Sequence, residues 1–540
     1  VNSVLRILRF LIGDRKPDRR IRNTLTLEQG QKLLEKRTQE LLGSDVPNRW
    51  VRIMVTLPSH AASDPELVRQ LMEAGMNCAR INGAHDTPPE WSKMINNVRK
   101  AERAAGLYCR ILFDLGGSKL RTGPVARGPA VIKWRPTRDA LGQVIEPARV
   151  WLTPEGAEEL LPEPAQASIS LPGKWLARLE TGEVVRFLDT RKNRRELKVI
   201  SKLGSSRWAE SRKTAYLKTG TVLTVDRPSE KQKRRKVKVG HLPSREEPVL
   251  LNAGDLLVLT QSLKPGTSAK KDAEGQVTVP ARIGCGVRQI FRDVRVGERI
   301  WFDDGKMGGL VEKVSRTQLV VRIDRVRPGG GKLRGDRGIN LPDSRLRCPS
   351  LLPKDLKDLE FAVGQADLVG YSFVRSPDDV KRLQRELARL KGEHLGIVLK
   401  IETRAAFERL PDLLLTAMES PLVGVMIARG DLAVECGYER LAEVQEEILW
   451  MCEAAHVPVI WATQVLETMA QDGQPSRAEV TDAAMGVRAE CVMLNKGPEM
   501  VATVRTLDDI LTRMQAHQNK KQSMLRSLNV ARLFRPASEA

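Results

Sequence analysis

A chain of 540 residues is long enough to bury more than one core, and its 41% hydrophobic content is that of an ordinary water-facing globular protein. No run approaches the ~20 unbroken apolar residues of a membrane-spanning helix, which excludes a membrane partner from the expectations. The formal net charge of +22 excludes an acidic protein and leaves two readings: attraction of a polyanion such as nucleic acid or a nucleotide, or a solvated basic surface.

Residues 1–50 form a basic, helix-prone leader. Its apolar stretch Val4–Gly13 is interrupted by Arg6 and Arg9 and lacks a cleavage site, so it reads as a helix start rather than a signal peptide. Eight short aliphatic runs then follow, alternating with amphipathic, helix-compatible sequence. They are Val51–Leu57, Asn77–Asn82, Cys109–Leu115, Asp367–Phe373, Leu395–Glu402, Leu422–Leu432, Pro458–Val465 and Cys491–Asn495. Strands apolar on both faces and separated by helices imply a parallel sheet covered on both sides. Eight such units predict a closed (β/α)₈ TIM barrel over 51–124 and 342–516, with its working mouth at the C-terminal strand ends. The polar residues fall there: Arg80 and Asn82, Asp114, Lys400 and Glu402, Arg429 and Asp431, Thr463 and Gln464. Residues 517–540 are left as a tail.

Between strand 3 and helix 3 the rhythm changes to short alternating strands with Gly, Pro and charged turns, which predicts an inserted, enlarged β-rich domain over 125–341. An internal repeat is expected inside it. Gly182–Asp189 resembles Gly297–Asp304, Leu197–Ser201 corresponds to Leu310–Ser315, and Val150–Thr153 corresponds loosely to Leu256–Thr260. Much of the positive charge also falls here, including the runs 191–195 and 231–236. The seven cysteines show no CxxC pair or metal-ligand spacing, so a reducing compartment, the cytoplasm, is the expected location.

The segments Gly75-Met-Asn-Cys-Ala-Arg-Ile-Asn82, Phe113-Asp114 with Leu120-Arg-Thr-Gly123, and Leu399-Lys-Ile-Glu402 resemble successive barrel motifs of the pyruvate kinase family. So do Ile427-Ala-Arg-Gly-Asp-Leu432, Ala462-Thr-Gln-Val-Leu-Glu467 and Ser476-Arg-Ala-Glu479. In the insert, Phe302-Asp-Asp-Gly305 and Gly338-Ile-Asn-Leu-Pro342 resemble the family's B-domain strand and its return to the barrel. Each motif alone is weak, but their occurrence in order is a strong signal.

The resemblance implies a glycolytic phosphotransferase that moves the phosphoryl group of phosphoenolpyruvate to ADP, giving pyruvate and ATP. Such chemistry asks the protein to neutralise and align a very anionic pair. By resemblance, Glu402 and Asp431 hold Mg²⁺ or Mn²⁺, Lys400 stabilises the transferring group and the enolate oxygen, and Arg80 clamps the phosphoryl oxygens with support from Arg121. Gly430 and Asp431, at a helix N-terminus, would receive the substrate carboxylate. Thr463 would lie near the carbon that is protonated, and Asn82, His85 and Arg121 would approach the nucleotide.

Departures from the family pattern carry expectations of their own. By resemblance the usual monovalent-cation site uses Asn82, Asp114, a serine and a threonine; Ala84 and Leu115 stand at the last two places, and Lys119 stands where potassium-dependent relatives carry a glutamate. A fixed ammonium would substitute for the ion, which predicts activity without K⁺. Asn495-Lys-Gly-Pro498 and Gly116-Gly-Ser-Lys119 also differ from the family's motifs, which bears on nucleotide placement. The chain ends about 45 residues beyond strand 8, so the family's C-terminal regulatory domain and its effector pocket are expected to be missing, although a homo-oligomer stays open. Two alternatives stand beside the kinase: a metal-dependent C–C lyase acting on pyruvate or an enolate, and a non-catalytic protein that binds nucleic acid through the basic insert.

Overall fold

Each of the eight apolar runs forms a parallel strand in a computed structural model, which describes residues 25–44, 46, 48–156, 165–225 and 235–518. The strands are β1 (Arg52–Thr56), β2 (Cys78–Asn82), β3 (Arg110–Asp114), β4 (Leu368–Tyr371), β5 (Gly396–Ile401), β6 (Val423–Ala428), β7 (Val459–Ala462) and β8 (Cys491–Leu494). They pair in sequence order and close through β1 and β8, so the expected (β/α)₈ barrel is the fold. Parallel pairing needs a crossover after each strand, and the helices that supply it cover the barrel's outer face. Their contacts with the strands make one continuous apolar layer that includes Trp91, Phe113, Leu359 and Leu507.

The barrel interior is a packed core rather than a pore. Met54, Cys78, Leu112, Leu368, Val398, Met426, Ile460 and Met493 fill it. Leu41 and Leu42, at the end of the helix Leu27–Leu42, belong to the same cluster, so this helix plugs the N-terminal mouth. Gly396 and Gly424 make room for it: a Cβ at either position would come within 2.6 Å of a Leu41 methyl. Fully burying a leucine contributes roughly 1.5–3 kcal/mol, which gives this part of the leader a structural task. The parts of the leader and tail at 1–24 and 519–540, and most of the 231–236 basic run, lie outside the described residues.

The chain divides into two compact units. One comprises the barrel, Leu251–Ser262 and the chain from Cys285 onward; the other comprises Gly123–Leu250 and Leu263–Gly284. The insert is therefore shared between them. In the barrel unit, strands Leu256–Thr260, Gln318–Val326, Met307–Val314, Arg299–Phe302 and Ile339–Asn340 lie side by side in an antiparallel sheet. In the second unit a seven-stranded sheet runs from Arg235–Lys238 through Val222–Val225, Val184–Leu188, Arg194–Leu203, Ser206–Ser211 and Ala148–Pro154 to Ala167–Leu171. Its inner face buries Leu152, Ile169, Phe187, Leu197 and Leu223 in a core of its own.

The two segments that resemble each other in sequence are built alike. The N–H of Gly182 donates to the Val199 carbonyl and that of Gly297 to the Val311 carbonyl, both at 2.8 Å. The glycines have φ of 91° and 89°, a region that favours glycine. In each case the next residue's carboxylate takes an N–H three residues back, Glu183 from Glu180 and Glu298 from Arg295. The strand order is also the same: 184–188, 194–203, 206–211, 148–154 in one unit, and 299–302, 307–314, 318–326, 256–260 in the other. Among the described residues no helix is long and apolar enough to cross a membrane. All seven cysteines are free.

Candidate active site

Strand register decides which side chains meet at the barrel mouth. Asn82, Asp114 and Gly370 lie opposite one another on β2, β3 and β4, while Thr56 lies opposite Arg80. Gly370 is required here, because a Cβ on it would sit 2.5 Å from Asp114 Oδ1. The Asp114 carboxylate thus rests directly against the backbone of β4.

Asp114, which is 1% exposed, is the hub of the charged cluster. Arg80 reaches it through Nε at 2.9 Å and through Nη2, and Arg80 Nη1 donates to Thr56 Oγ1 at 3.0 Å. From β5, Lys400 Nζ donates to the same Asp114 oxygen at 3.0 Å and to Ser372 Oγ at 2.7 Å, and lies 3.2 Å from Glu402 Oε1. Burial alone would drive the lysine toward neutrality, but Asp114 and Glu402 outweigh it and hold its pKa above the usual value. Burial likewise opposes ionisation of Asp114, and Lys400 and Arg80 reverse it, keeping the carboxyl below its usual range. A buried lysine and a partly buried arginine are therefore held ready by one buried anion.

Glu402 follows β5, and its Oε2 accepts the Phe373 N–H at 2.6 Å. Burial raises its pKa; Lys400 opposes the rise, and Asp431 and Asp114 add to it. Asp431 lies in the first turn of the helix Arg429–Cys436 that follows β6. Its two oxygens lie 2.9 and 3.1 Å from Lys119 Nζ, which is also 3.5 Å from Asp304. Burial works against the Lys119 charge, but Asp431 more than compensates and its pKa is raised. Asn340 Nδ2 faces both Asp431 Oδ1, at 3.4 Å, and Glu435 Oε1, at 3.1 Å. Glu435 is buried and its pKa is pushed up to about 7 by that burial.

Thr463 follows β7 with φ of 64°, and Gln464 has φ of 56°. A left-handed β-branched residue is strained and persists only where its surroundings hold it. Arg429 does so, donating to the carbonyls of Ala462 and Thr463 while paired with Asp482. The Gly430 N–H donates to Thr463 Oγ1 at 2.8 Å, which leaves the hydroxyl proton for another partner.

The structure thus brings together Arg80, Asp114, Lys400 and Glu402 in one cluster, Asp431 with Lys119, and Gly430 with Thr463. Arg121 is directed elsewhere: its guanidinium donates to the Asp336 carbonyl at 3.1 Å and lies 3.6 Å from that residue's carboxylate. His85 is exposed on the rim. Partial burial lowers its pKa first, then the Lys496 charge, with Arg121 and Arg80 adding to it. Asn82 Oδ1 accepts the Ala84 N–H at 3.1 Å. Sequence reading missed Thr56, Ser372, Asn340, Glu435 and Gly370. Thr56 and Ser372 stand at the ends of the first and fourth apolar runs, where a polar residue could have been noticed, and Asn340 lies in the Gly338–Pro342 motif; Glu435 and Gly370 had no local signal.

Glu402 and Asp431 suit a hard divalent cation. They are two carboxylates just beyond the adjacent strands β5 and β6, and the charge of Asp431 already disfavours ionised Glu402, a conflict that a cation between them would relieve. Among the described residues no group of three or more His, Cys, Asp or Glu is placed so that it could hold a metal ion, so further oxygens would have to come from ligand and water.

Comparison with known proteins agrees with the geometry. The family model for the pyruvate kinase barrel domain matches residues 48–140 and 231–499. A pyruvate kinase of Mycobacterium intracellulare is 33% identical over 237 residues, covering 43% of this chain and 48% of the relative. The human pyruvate kinase PKLR is 36% identical over 209 residues, 38% of this chain and 35% of the relative. One from Dictyostelium discoideum is 31% identical over 289 residues, 52% of each. The chain spans about half the length, or less, of these curated relatives. With the family match extending over more than half of the 540 residues, and with a closed eightfold barrel beneath it, the chain belongs to the pyruvate kinase family.

Proposed function

We propose that this protein transfers the phosphoryl group of phosphoenolpyruvate to ADP, yielding pyruvate and ATP, and that it does so in the cytosol without K⁺. The observation that carries the reading is the Arg80–Asp114–Lys400–Glu402 cluster, in which two cations share one buried carboxylate at the C-terminal mouth of the barrel. A phosphoryl group entering there exchanges one anionic partner for another. Arg80 receives its oxygens with a planar fork. Lys400 stabilises charge on the transferring group and on the bridging oxygen as the enolate forms. Mg²⁺ or Mn²⁺ held by Glu402 and Asp431 supplies Lewis acidity toward the substrate's oxygens.

The N–H groups at the start of the helix Arg429–Cys436 orient the substrate carboxylate, with Gly430 exchanging its bond to Thr463 for one to the ligand. The Thr463 hydroxyl then orients the water or group that protonates the enolate carbon. Arg121, His85 and Asn82 serve the nucleotide side. Lys119 supplies the positive charge that a potassium ion would otherwise bring, and Ala84 and Leu115 offer no side-chain oxygen to such an ion. The test is pyruvate formation from phosphoenolpyruvate and ADP with Mg²⁺, with and without K⁺, alongside Lys400→Ala. Turnover that needs ADP and Lys400 but not K⁺ is expected. Absence of turnover with every nucleoside diphosphate would overturn the reading, and metal-dependent release of pyruvate, without ADP, from a substrate that carries it through a C–C bond would favour a lyase.

A further inference from the structure

The unit formed by Gly123–Leu250 and Leu263–Gly284 carries 30 lysines and arginines against 17 aspartates and glutamates. The fold arranges part of this charge into one cluster. The segment Ser211–Lys218 is ringed by guanidinium groups fixed on its own carbonyls. Arg138 donates to Arg212 O at 3.2 Å, and Arg191 and Arg195 donate to Thr214 O at 3.4 and 2.8 Å. The Tyr216 ring carries Arg191 at 4.6 Å and Lys133, its cross-strand partner, at 5.4 Å. Asp189, fully buried, is the one carboxylate with which any of these cations pairs among the described residues. Lys133, Arg138, Arg212 and Lys218 are exposed and pair with no acid there.

The matching hairpin in the barrel unit has a different tip. There Asp303-Asp304-Gly305-Lys306 joins the strands, and Asp304 lies against Lys119 at the candidate active site. At the equivalent tip of the second unit the chain reads Asp189-Thr190-Arg191-Lys192-Asn193, followed by Arg194 and Arg195. The shared strand order and the shared Gly-Glu hydrogen bonds make the two sheets equivalent, while their tips carry opposite charge. Gathering cations around one buried acid raises the free energy of the unbound surface, and an external polyanion lowers it.

We propose that the sheet at 148–211 is a repeat of the one at 256–326, and that its tip, with Lys133, Arg138, Arg212 and Lys218, is a docking surface for single-stranded nucleic acid. Planar guanidinium groups already fixed by carbonyls suit phosphate oxygens and lose little freedom on binding. An Arg–Tyr stack offers a flat cationic face to unpaired bases, which a duplex does not present. Leu141 and Leu188, close in the chain to Arg138 and Asp189, are exposed, so anionic vesicles form one arm of the test.

The test is fluorescence anisotropy of the full chain with a labelled oligouridylate of about 20 nucleotides, longer than the ~4–16 that single-strand sites cover. Binding is measured across a range of salt for the wild type, for Lys133→Glu/Arg212→Glu/Lys218→Glu, and for a control, Lys198→Glu/Lys236→Glu/Lys238→Glu, on the outer sheet face. Circular dichroism and phosphoenolpyruvate turnover check that each variant is folded. The cluster variant should bind at least tenfold more weakly, and its log–log salt slope should fall by about 2 from three lost phosphate contacts. The control should change less than threefold. Equal losses in both variants, equal affinity for a duplex or for phosphatidylserine vesicles, or no binding by the wild type at low salt would each overturn the proposal.

Discussion

Replacing Lys119 by methionine removes one charge from the candidate site and keeps a side chain of similar length. In the structure that ammonium lies 2.9 and 3.1 Å from the oxygens of Asp431, with side-chain exposures of 21% and 15%. At this separation and an effective dielectric near 20 the attraction is about 5 kcal/mol before desolvation and side-chain ordering are charged against it. For a pair near the mouth, a net value of about 1–2 kcal/mol remains. A divalent ion that takes Asp431 as a ligand must break this pair, so it binds the wild type more weakly by that amount. Lys119→Met should therefore bind Mn²⁺ roughly 5–30-fold more tightly without substrate, as measured by water-proton relaxation or calorimetry. Phosphoryl transfer should nevertheless fall, because the fixed positive charge is gone, and added K⁺ should not restore it. Unchanged Mn²⁺ affinity would refute the competition at Asp431. Recovery of turnover with K⁺ would refute the reasoning about Ala84 and Leu115.

Two further substitutions probe the neighbouring contacts. Gly370→Ala places a methyl group where Asp114 Oδ1 now stands 2.5 Å away, so the carboxylate must retreat from Arg80 and Lys400. We expect at least a tenfold lower kcat and a stability loss of about 1–3 kcal/mol, read by steady-state kinetics and urea unfolding. Glu435 has its pKa raised by burial from 4.5 to about 7, so the folded state holds its proton between those values while the unfolded chain releases it. Stability should decline as pH rises from about 4.5 through 7 and level off above. In Glu435→Gln this part of the decline should vanish, leaving the variant roughly 2–3 kcal/mol more stable than the wild type at pH 8, as measured by denaturant unfolding at pH 5 and pH 8.

The barrel was legible in the chain because parallel strands buried on both faces must be written as short unbroken aliphatic runs, and each of the eight runs became a strand. Arg80, Asp114, Lys400 and Glu402 were legible for a related reason: a polar residue ending such a run has only the barrel mouth to occupy. Contacts set by register were not legible. Nothing local marks Gly370 as the position that admits Asp114, or Thr56 as the acceptor for Arg80, because each depends on a neighbouring strand rather than on its own segment. Lys119 illustrates the division. Its sequence position predicted a charge in the site, but only tertiary structure settled that it pairs with Asp431 and Asp304, from segments more than 180 residues further along the chain. The same holds for Asn340, which a returning strand carries to Asp431 and Glu435. Hydrophobic periodicity is a property of one segment and survives in sequence; the partner of a buried polar atom is a property of two, and only folding joins them.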